Sequence, residues 1–177
     1  HPILARLIRN RDVIGDEAIQ LYLNGTIADL YDGMLMKDMD KAIDILKEKI
    51  LEDKKIRVIG DYDIDGVNAT YILLEGLERL GADVDSDIPD RISDGYGLNR
   101  HLVERAYEAG VDTLITCDNG IAAADEIAYG KEMGMTVIVT DHHEVPFDEY
   151  DGEKRYRIPP ADAVMDPKQP DCLYPFK

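Results

Sequence analysis

Between residues 56 and 166, short apolar runs alternate with stretches of helical spacing, and this alternation limits the fold more than any other feature. The runs "IRVIGD" (56–61), "VDSDI" (84–88), "DTLITCD" (112–118), "TVIVTD" (136–141) and "ADAVMD" (161–166) read as strands. Between the first four lie "VNATYILLEGLERLG" (67–81), closed by Gly81, then "NRHLVERAYEAG" (99–110) and "AAADEIAYGKEMG" (122–134), all with helical periodicity. Most of the strand runs are apolar nearly throughout, which suits strands buried on both faces. The expected fold class is α/β, a doubly wound parallel sheet with right-handed connections. Residues 144–160 are expected as a longer polar loop.

Residues 1–55 read as an N-terminal helical lead-in. Asp16 is expected to cap "EAIQLYL", and "KDMDKAIDILKEKILEDKK" sets Met39, Ile43, Leu46 and Ile50 at three- and four-residue steps. Lys47 to Lys55 reads as a solvated helix end. The Pro-rich end, 167–177, reads as an extended connector. The expected division is therefore 1–55 helical, 56–166 the α/β domain and 167–177 connector.

Composition bounds the function. The chain has 177 residues, 45% hydrophobic and 32% charged, with a net charge of −17. That argues against a domain gripping nucleic acid over a broad basic face, while leaving room for a metal-centred nuclease core. Cys117 and Cys172 form no ligand spacing and no disulfide framework, which points to a reducing compartment and a cytoplasmic location. No apolar run reaches membrane-spanning length, no secretory signal opens the chain, and no membrane association is expected. The chain begins at His1 rather than Met, as a piece of a longer protein or a processed one would.

The chemistry gathers at strand ends. Asp61, Asp63 and Asp65 follow the first strand, Asp118-Asn119-Gly120 the third, and Asp141-His142-His143 the fourth. In an open parallel sheet, sites lie beyond the carboxyl ends of the strands. A single Asp after a strand is more often a helix cap than a ligand. Three strand ends that agree are harder to explain as caps.

Four readings compete for "DYDIDG". An EF-hand loop requires Glu at its twelfth position, where Ile72 stands, and a preceding helix, where a strand is expected. An aspartyl-phosphate enzyme opening on "DIDGV" leaves Asp141-His142-His143 without a role and lacks a suitably placed Lys. A receiver-like domain with Asp118 as phospho-acceptor fits the His pair poorly. A two-metal phosphoesterase uses all of them. Asp63 and Asp65 would each reach one metal, Asp118 would bridge, and His142 would bind through one nitrogen with Asp141 orienting it. His143 would face substrate as a phosphate contact or proton donor. Mixed oxygen and nitrogen ligands favour Mn²⁺ over Ca²⁺ and admit Mg²⁺.

"DYDIDG", "DNGI" and "DHH" in this order resemble the motifs of the DHH phosphoesterase superfamily. The segments "HPILARLIRNR", "LMKDMDKAI", "DRISDGYGLN" and "MDPKQPDCLYPFK" narrow the resemblance to RecJ-type single-stranded-DNA exonucleases, over nearly the whole chain. The resemblance implies hydrolysis of phosphodiesters with two Mn²⁺ or Mg²⁺ ions, degrading single-stranded DNA from its 5′ end in repair and recombination, with repair proteins as partners. By motif, Asp63, Asp65, Asp118 and His142 match metal ligands. Asp61 matches a further acid of the first motif, and His143 the second histidine of the third. Asp61, Asp141 and His143 are thus the candidate catalytic residues. Arg91, Tyr96 and Asn119 are candidate substrate contacts, the alternatives being a plain glycine turn around Gly95 and Gly97 and local turn chemistry at Asn119.

Two departures from the family pattern stand out. A further metal-binding Asp and a Gly-rich, His-containing substrate motif are expected after Lys177, Asp166 and Asp171 standing too early and in the wrong context to fill the role, so the chain by itself is expected to have little activity. Val67-Asn68-Ala69 also replaces the small hydroxyl-bearing residues common after the first motif. Two other functions fit the same residues: a related hydrolase acting on small nucleotides or pyrophosphate, and a non-catalytic assembly module that keeps the fold.

Overall fold

The computed structural model describes residues 1–92 and 95–176. It divides into two compact units, His1–Asp32 and Gly33–Lys177. In the first unit, α1 (Pro2–Arg9) and α2 (Asp16–Asn24) precede a short 3₁₀ turn, Ile27–Asp29. Gly15, at φ 95°, takes the cap position of α2. Asp16, expected as the cap, is instead the first helical residue, where its charge still favours the positive end of the helix. Thr26 and Asp29 form a reciprocal capping box on the 3₁₀ turn.

The second unit is built on a five-stranded parallel sheet. Its strands are β1 (Ile56–Ile59), β2 (Val84–Asp87), β3 (Thr113–Cys117), β4 (Thr136–Thr140) and β7 (Ala163–Met165), in the order β2-β1-β3-β4-β7. Helices cover both faces. On one side pack α3 (Met39–Leu51) and α4 (Ile64–Arg79), on the other α5 (Arg100–Glu108) and α6 (Ala124–Glu132). The strand residues alternate accordingly. Val58, Ile115, Cys117, Ile138 and Met165 join the α3/α4 core, while Ile59, Leu114, Val137, Val139 and Val164 join the α5/α6 core. Helix α3 contributes Met39, Ala42, Leu46 and Ile50 to the first of these cores and so belongs to this unit.

Two segments differ from their sequence-based expectation. The loop expected over 144–160 contains an antiparallel hairpin, β5 (Phe147–Tyr150) and β6 (Glu153–Tyr156). Its turn is Asp151-Gly152, both at positive φ (57° and 80°), the backbone that a two-residue I′ turn demands. Residues 167–172, expected as connector, fold back on the sheet. Gln169 is 1% exposed, Cys172 is buried, and Lys37 pairs with Asp171 at 2.8 Å. Among the described residues, no helix is long and apolar enough to cross a membrane.

Candidate metal centre

From β1 the chain crosses to β2 on one side, then returns to β3 on the other. The strand order therefore reverses between β1 and β3, and a crevice opens beyond their carboxyl ends. Into it run the segments after β1, β3 and β4.

After β1, Asp61 is fully buried. Its Oδ1 accepts the amide of Tyr62 at 2.8 Å, and its Oδ2 is buried without a hydrogen-bond partner. Asp63 caps α4, accepting the Gly66 amide at 3.1 Å, and this bond holds its carboxyl below the ordinary carboxylate range. Helix α4 therefore starts at Ile64, three residues before the start expected from periodicity, and Asp65 lies in its first turn. Gly66 is required here: a Cβ would stand 2.6 Å from the Asp61 carbonyl oxygen. The glycine of the motif thus lets the helix begin hard against the Asp61 backbone.

After β3, Asp118 adopts the left-handed backbone at φ 61°, which Asp tolerates better than most residues. It is 7% exposed. Its Oδ1 lies 2.7 Å from His142 Nε2, and its Oδ2 is buried and unpartnered. Burial raises its pKa; the His142 contact opposes this, and the charges of Asp65 and Asp63 add to it. Asn119 is a strut between strands, its Nδ2 donating to the carbonyls of Ile59 (3.2 Å) and Cys117 (3.0 Å).

After β4, Asp141 is buried and orients His143, whose Nδ1–H donates to Asp141 Oδ1 at 2.7 Å. That corrects the expectation that Asp141 would orient His142, whose ring instead meets Asp118. With Nδ1 protonated, the neutral His143 ring offers Nε2 as an acceptor, 3.3 Å from the Tyr96 hydroxyl. Burial lowers the His143 pKa, but the bond and charge of Asp141, with Asp118 behind it, outweigh burial and raise it.

Two donor groups result. Ligand atoms of Asp61, Asp63 and Asp118 lie within 4.8 Å of one another, and so do those of Asp118, His142 and His143. Asp118 belongs to both. Asp65 stands at the rim, its Oδ2 3.9 Å from His142 Nε2. Buried carboxylates crowded in this way are unfavourable unless a positive charge joins them. The orphaned oxygens of Asp61 and Asp118, with two imidazoles beside them, fit an oxygen- and nitrogen-liganded divalent cation.

Of the candidate substrate residues, Tyr96 touches the centre through His143, and Arg91 stacks on Tyr62 at 4.9 Å. Asn119 lines the adjacent cleft, while its amide serves the strand ends. Asp94 of the "DGYG" turn lies outside the described residues. One residue escaped the sequence reading. Tyr62 supplies an aromatic wall beside the acids, and the only sequence signal is its place between Asp61 and Asp63. Asp166, after β7, is fully buried, and burial pushes its pKa up to about 6. The sequence sets it aside as the further metal-binding Asp, and its burial at another strand end is what the structure adds.

Residues 55–173 match the model of the DHH family, N-terminal domain. The chain belongs to the DHH family. Among its curated relatives, the single-stranded-DNA-specific exonuclease RecJ of Bacillus subtilis is 43% identical over 176 residues, covering 99% of this chain and 21% of that protein. The protein of the same name in Haemophilus influenzae is 35% identical over 178 residues, covering 100% of this chain and 29% of its own length. The chain thus spans less than a third of these relatives. Among solved structures, a RecJ exonuclease bound to manganese superposes with a TM-score of 0.67 at 37% identity, over 80% of this chain and 34% of the other. A RecJ in complex with Mn²⁺ from Thermus thermophilus gives 0.58 at 36% identity, over 77% and 18%. These DHH proteins share the mostly parallel, helix-flanked sheet found here.

Proposed function

We propose that this chain carries the greater part of a two-cation phosphodiesterase centre, and that the complete protein is an exonuclease on single-stranded DNA acting in repair and recombination. The observation that carries this reading is the pair of donor groups sharing Asp118. Two RecJ structures in complex with Mn²⁺ align with this chain, and its curated relatives are named single-stranded-DNA-specific exonucleases. Digestion from the 5′ end is the polarity that the family resemblance implies.

Asp61, Asp63 and Asp118 would hold one cation, and Asp118, His142 and His143 the other, with Asp65 closing the rim. When bound, Mn²⁺ or Mg²⁺ would neutralise the phosphate and acidify a water enough to attack at neutral pH. The protein's part is placement. The Asp63 cap fixes the start of α4, the Asn119 strut fixes the ends of β1 and β3, and Asp141 fixes the ring of His143. Tyr96 and Arg91 line the side from which substrate would enter.

The test uses the complete protein with Mn²⁺ and a single-stranded oligonucleotide labelled at its 3′ end. Stepwise shortening from the 5′ end is expected. Asp118→Ala should abolish it with the circular dichroism spectrum unchanged, and Asp65→Ala should weaken Mn²⁺ binding by calorimetry. Turnover of cyclic dinucleotides with no cleavage of DNA would replace this substrate. Absence of any Mn²⁺ binding would leave an assembly module.

A further inference from the structure

The rim of the centre carries aromatic chemistry that ligand placement does not explain. Tyr62 meets Tyr96 edge-on, with ring centroids 5.9 Å apart and planes at 86°. Tyr96 stands at 90° to the His143 ring, 6.3 Å between centroids, with its hydroxyl 3.3 Å from His143 Nε2. The guanidinium of Arg91 covers the Tyr62 ring at 4.9 Å. Tyr96 is 56% exposed, so a large aromatic surface faces solvent directly beside the donor groups. The same side chain walls a cavity of about 190 Å³ that it shares with Asn119, Ile121 and His143. That volume is below the range of pockets for drug-sized ligands and suits one ring system.

Charge narrows the occupant further. The chain carries −17, and Asp61, Asp63, Asp65, Asp118 and Asp141 all reach this crevice. This part of the wall therefore offers few cations to a phosphate backbone. The aromatic rim offers a strand a contact that does not depend on charge, since base–aromatic stacking is available to every base.

We propose that Tyr96, held edge-on by Tyr62, is the stacking platform for the nucleobase that adjoins the phosphodiester being cut. Tyr62 is a positioning residue: it braces Tyr96 with its ring and holds Arg91 by a cation–π contact, leaving the guanidinium beside the platform as a donor for a neighbouring phosphate. The inference rests on the phosphodiesterase reading above and adds to it a requirement for a base at one position.

The experiment compares three single-stranded oligonucleotides in the complete protein with Mn²⁺. One is intact, and the others are abasic at the first or the second nucleotide from the 5′ end. For one of the abasic substrates the wild type should show kcat/KM lower by about tenfold, carried by KM. Tyr96→Leu should bring that ratio close to one, and Tyr96→Phe should keep it. Tyr62→Leu should lower the ratio, with Tyr62→Phe restoring it. The abasic substrate is the control for folding, because a damaged protein loses both substrates alike. A wild-type ratio of one at both positions, or an unchanged ratio in Tyr96→Leu, overturns the platform and leaves the hydrolytic reading standing. Failure of the wild type to cleave any of the three removes both.

Discussion

Asp141 and His143 are joined twice. Asp141 Oδ1 accepts both the ring Nδ1–H of His143, at 2.7 Å, and its backbone amide, at 3.2 Å. The same oxygen accepts the His142 amide at 2.7 Å, and Oδ2 accepts the Ile121 amide at 2.9 Å. With its side chain 1% exposed, this carboxylate is a buried acceptor for four donors from two loops. It sets the path of both histidines as well as one ring.

The first prediction concerns this arrangement. Asp141→Asn places an amide NH₂ where an acceptor oxygen was, so at least one buried donor loses its partner. The expected cost is roughly 1–3 kcal/mol of stability, read as a lower urea midpoint in cation-free protein. The ¹⁵N shifts of His143 should report a single Nδ1–H tautomer in the wild type and a mixture in the variant. A variant that keeps the wild-type tautomer would show that something other than Asp141 fixes the ring.

Asp63 has two separable duties. It caps α4 through Gly66 and supplies an oxygen to the donor group with Asp61 and Asp118. Asn caps helices as well as Asp but brings no charge. Asp63→Asn should therefore leave cation-free stability within a few tenths of a kcal/mol of wild type while lowering Mn²⁺ affinity in calorimetry. Asp63→Ala should lower both, with about 1 kcal/mol lost to the missing cap. Equal Mn²⁺ affinity in Asp63→Asn and wild type would confine Asp63 to capping.

The sheet and its order of elements were legible because each strand carries its own pattern. Val58, Ile115 and Ile138 face one core and Ile59, Leu114 and Val137 the other, so the runs had to be apolar throughout. The strand-end acids were legible for the same reason, since a parallel sheet delivers every such end to one edge. Pairings set by loop geometry were less visible. Adjacency in "DHH" suggested that Asp141 serves His142, but the turn after β4 presents His143 to it and sends His142 to Asp118. The hairpin over Phe147–Tyr156 did carry its signal, the Asp151-Gly152 dipeptide. Its strands are four residues each and exposed throughout, so no hydrophobic alternation marked them. Burial of Asp166 depends on the fold-back of 167–172, which no local pattern encodes.

Asp166 provides a pH prediction. Burial raises its pKa to about 6, from an ordinary 3.8, with the charge of Asp141 adding to the effect. A carboxyl whose folded pKa is raised contributes stability that is complete below the unfolded value and is lost as pH climbs through the folded value. The loss therefore falls between about pH 4 and 6. Asp166→Asn removes the ionisation while leaving an oxygen to accept the Lys168 amide, a 2.7 Å bond in the wild type. The variant should gain on the wild type by roughly 2–3 kcal/mol across that window and hold the gain at pH 7. Chemical denaturation at pH 4, 5, 6 and 7 reads it directly. A difference between the two proteins that stays flat with pH would place the Asp166 titration outside the window.

The free edge of the sheet yields the last prediction. Strand β7 is an outer strand, and an unpaired outer strand invites another chain to pair with it. Here the backbone of Val164 is closed by side chains: its amide donates to Asp38 Oδ2 at 3.0 Å, and its carbonyl accepts from Gln169 Nε2 at 2.7 Å. Asp38 lies just before α3 and Gln169 in the fold-back after β7, so two distant segments cap one residue of the edge. Replacing both by Ala leaves a donor and an acceptor exposed side by side and removes the Gln169 anchor of 167–172, while the Lys37–Asp171 pair remains. Each substitution should cost about 1–3 kcal/mol. The double variant should also associate with itself at concentrations where the wild type does not, seen as a heavier species in sedimentation velocity. A destabilised double variant that sediments like the wild type would assign these two side chains to anchoring alone, with no part in shielding the edge.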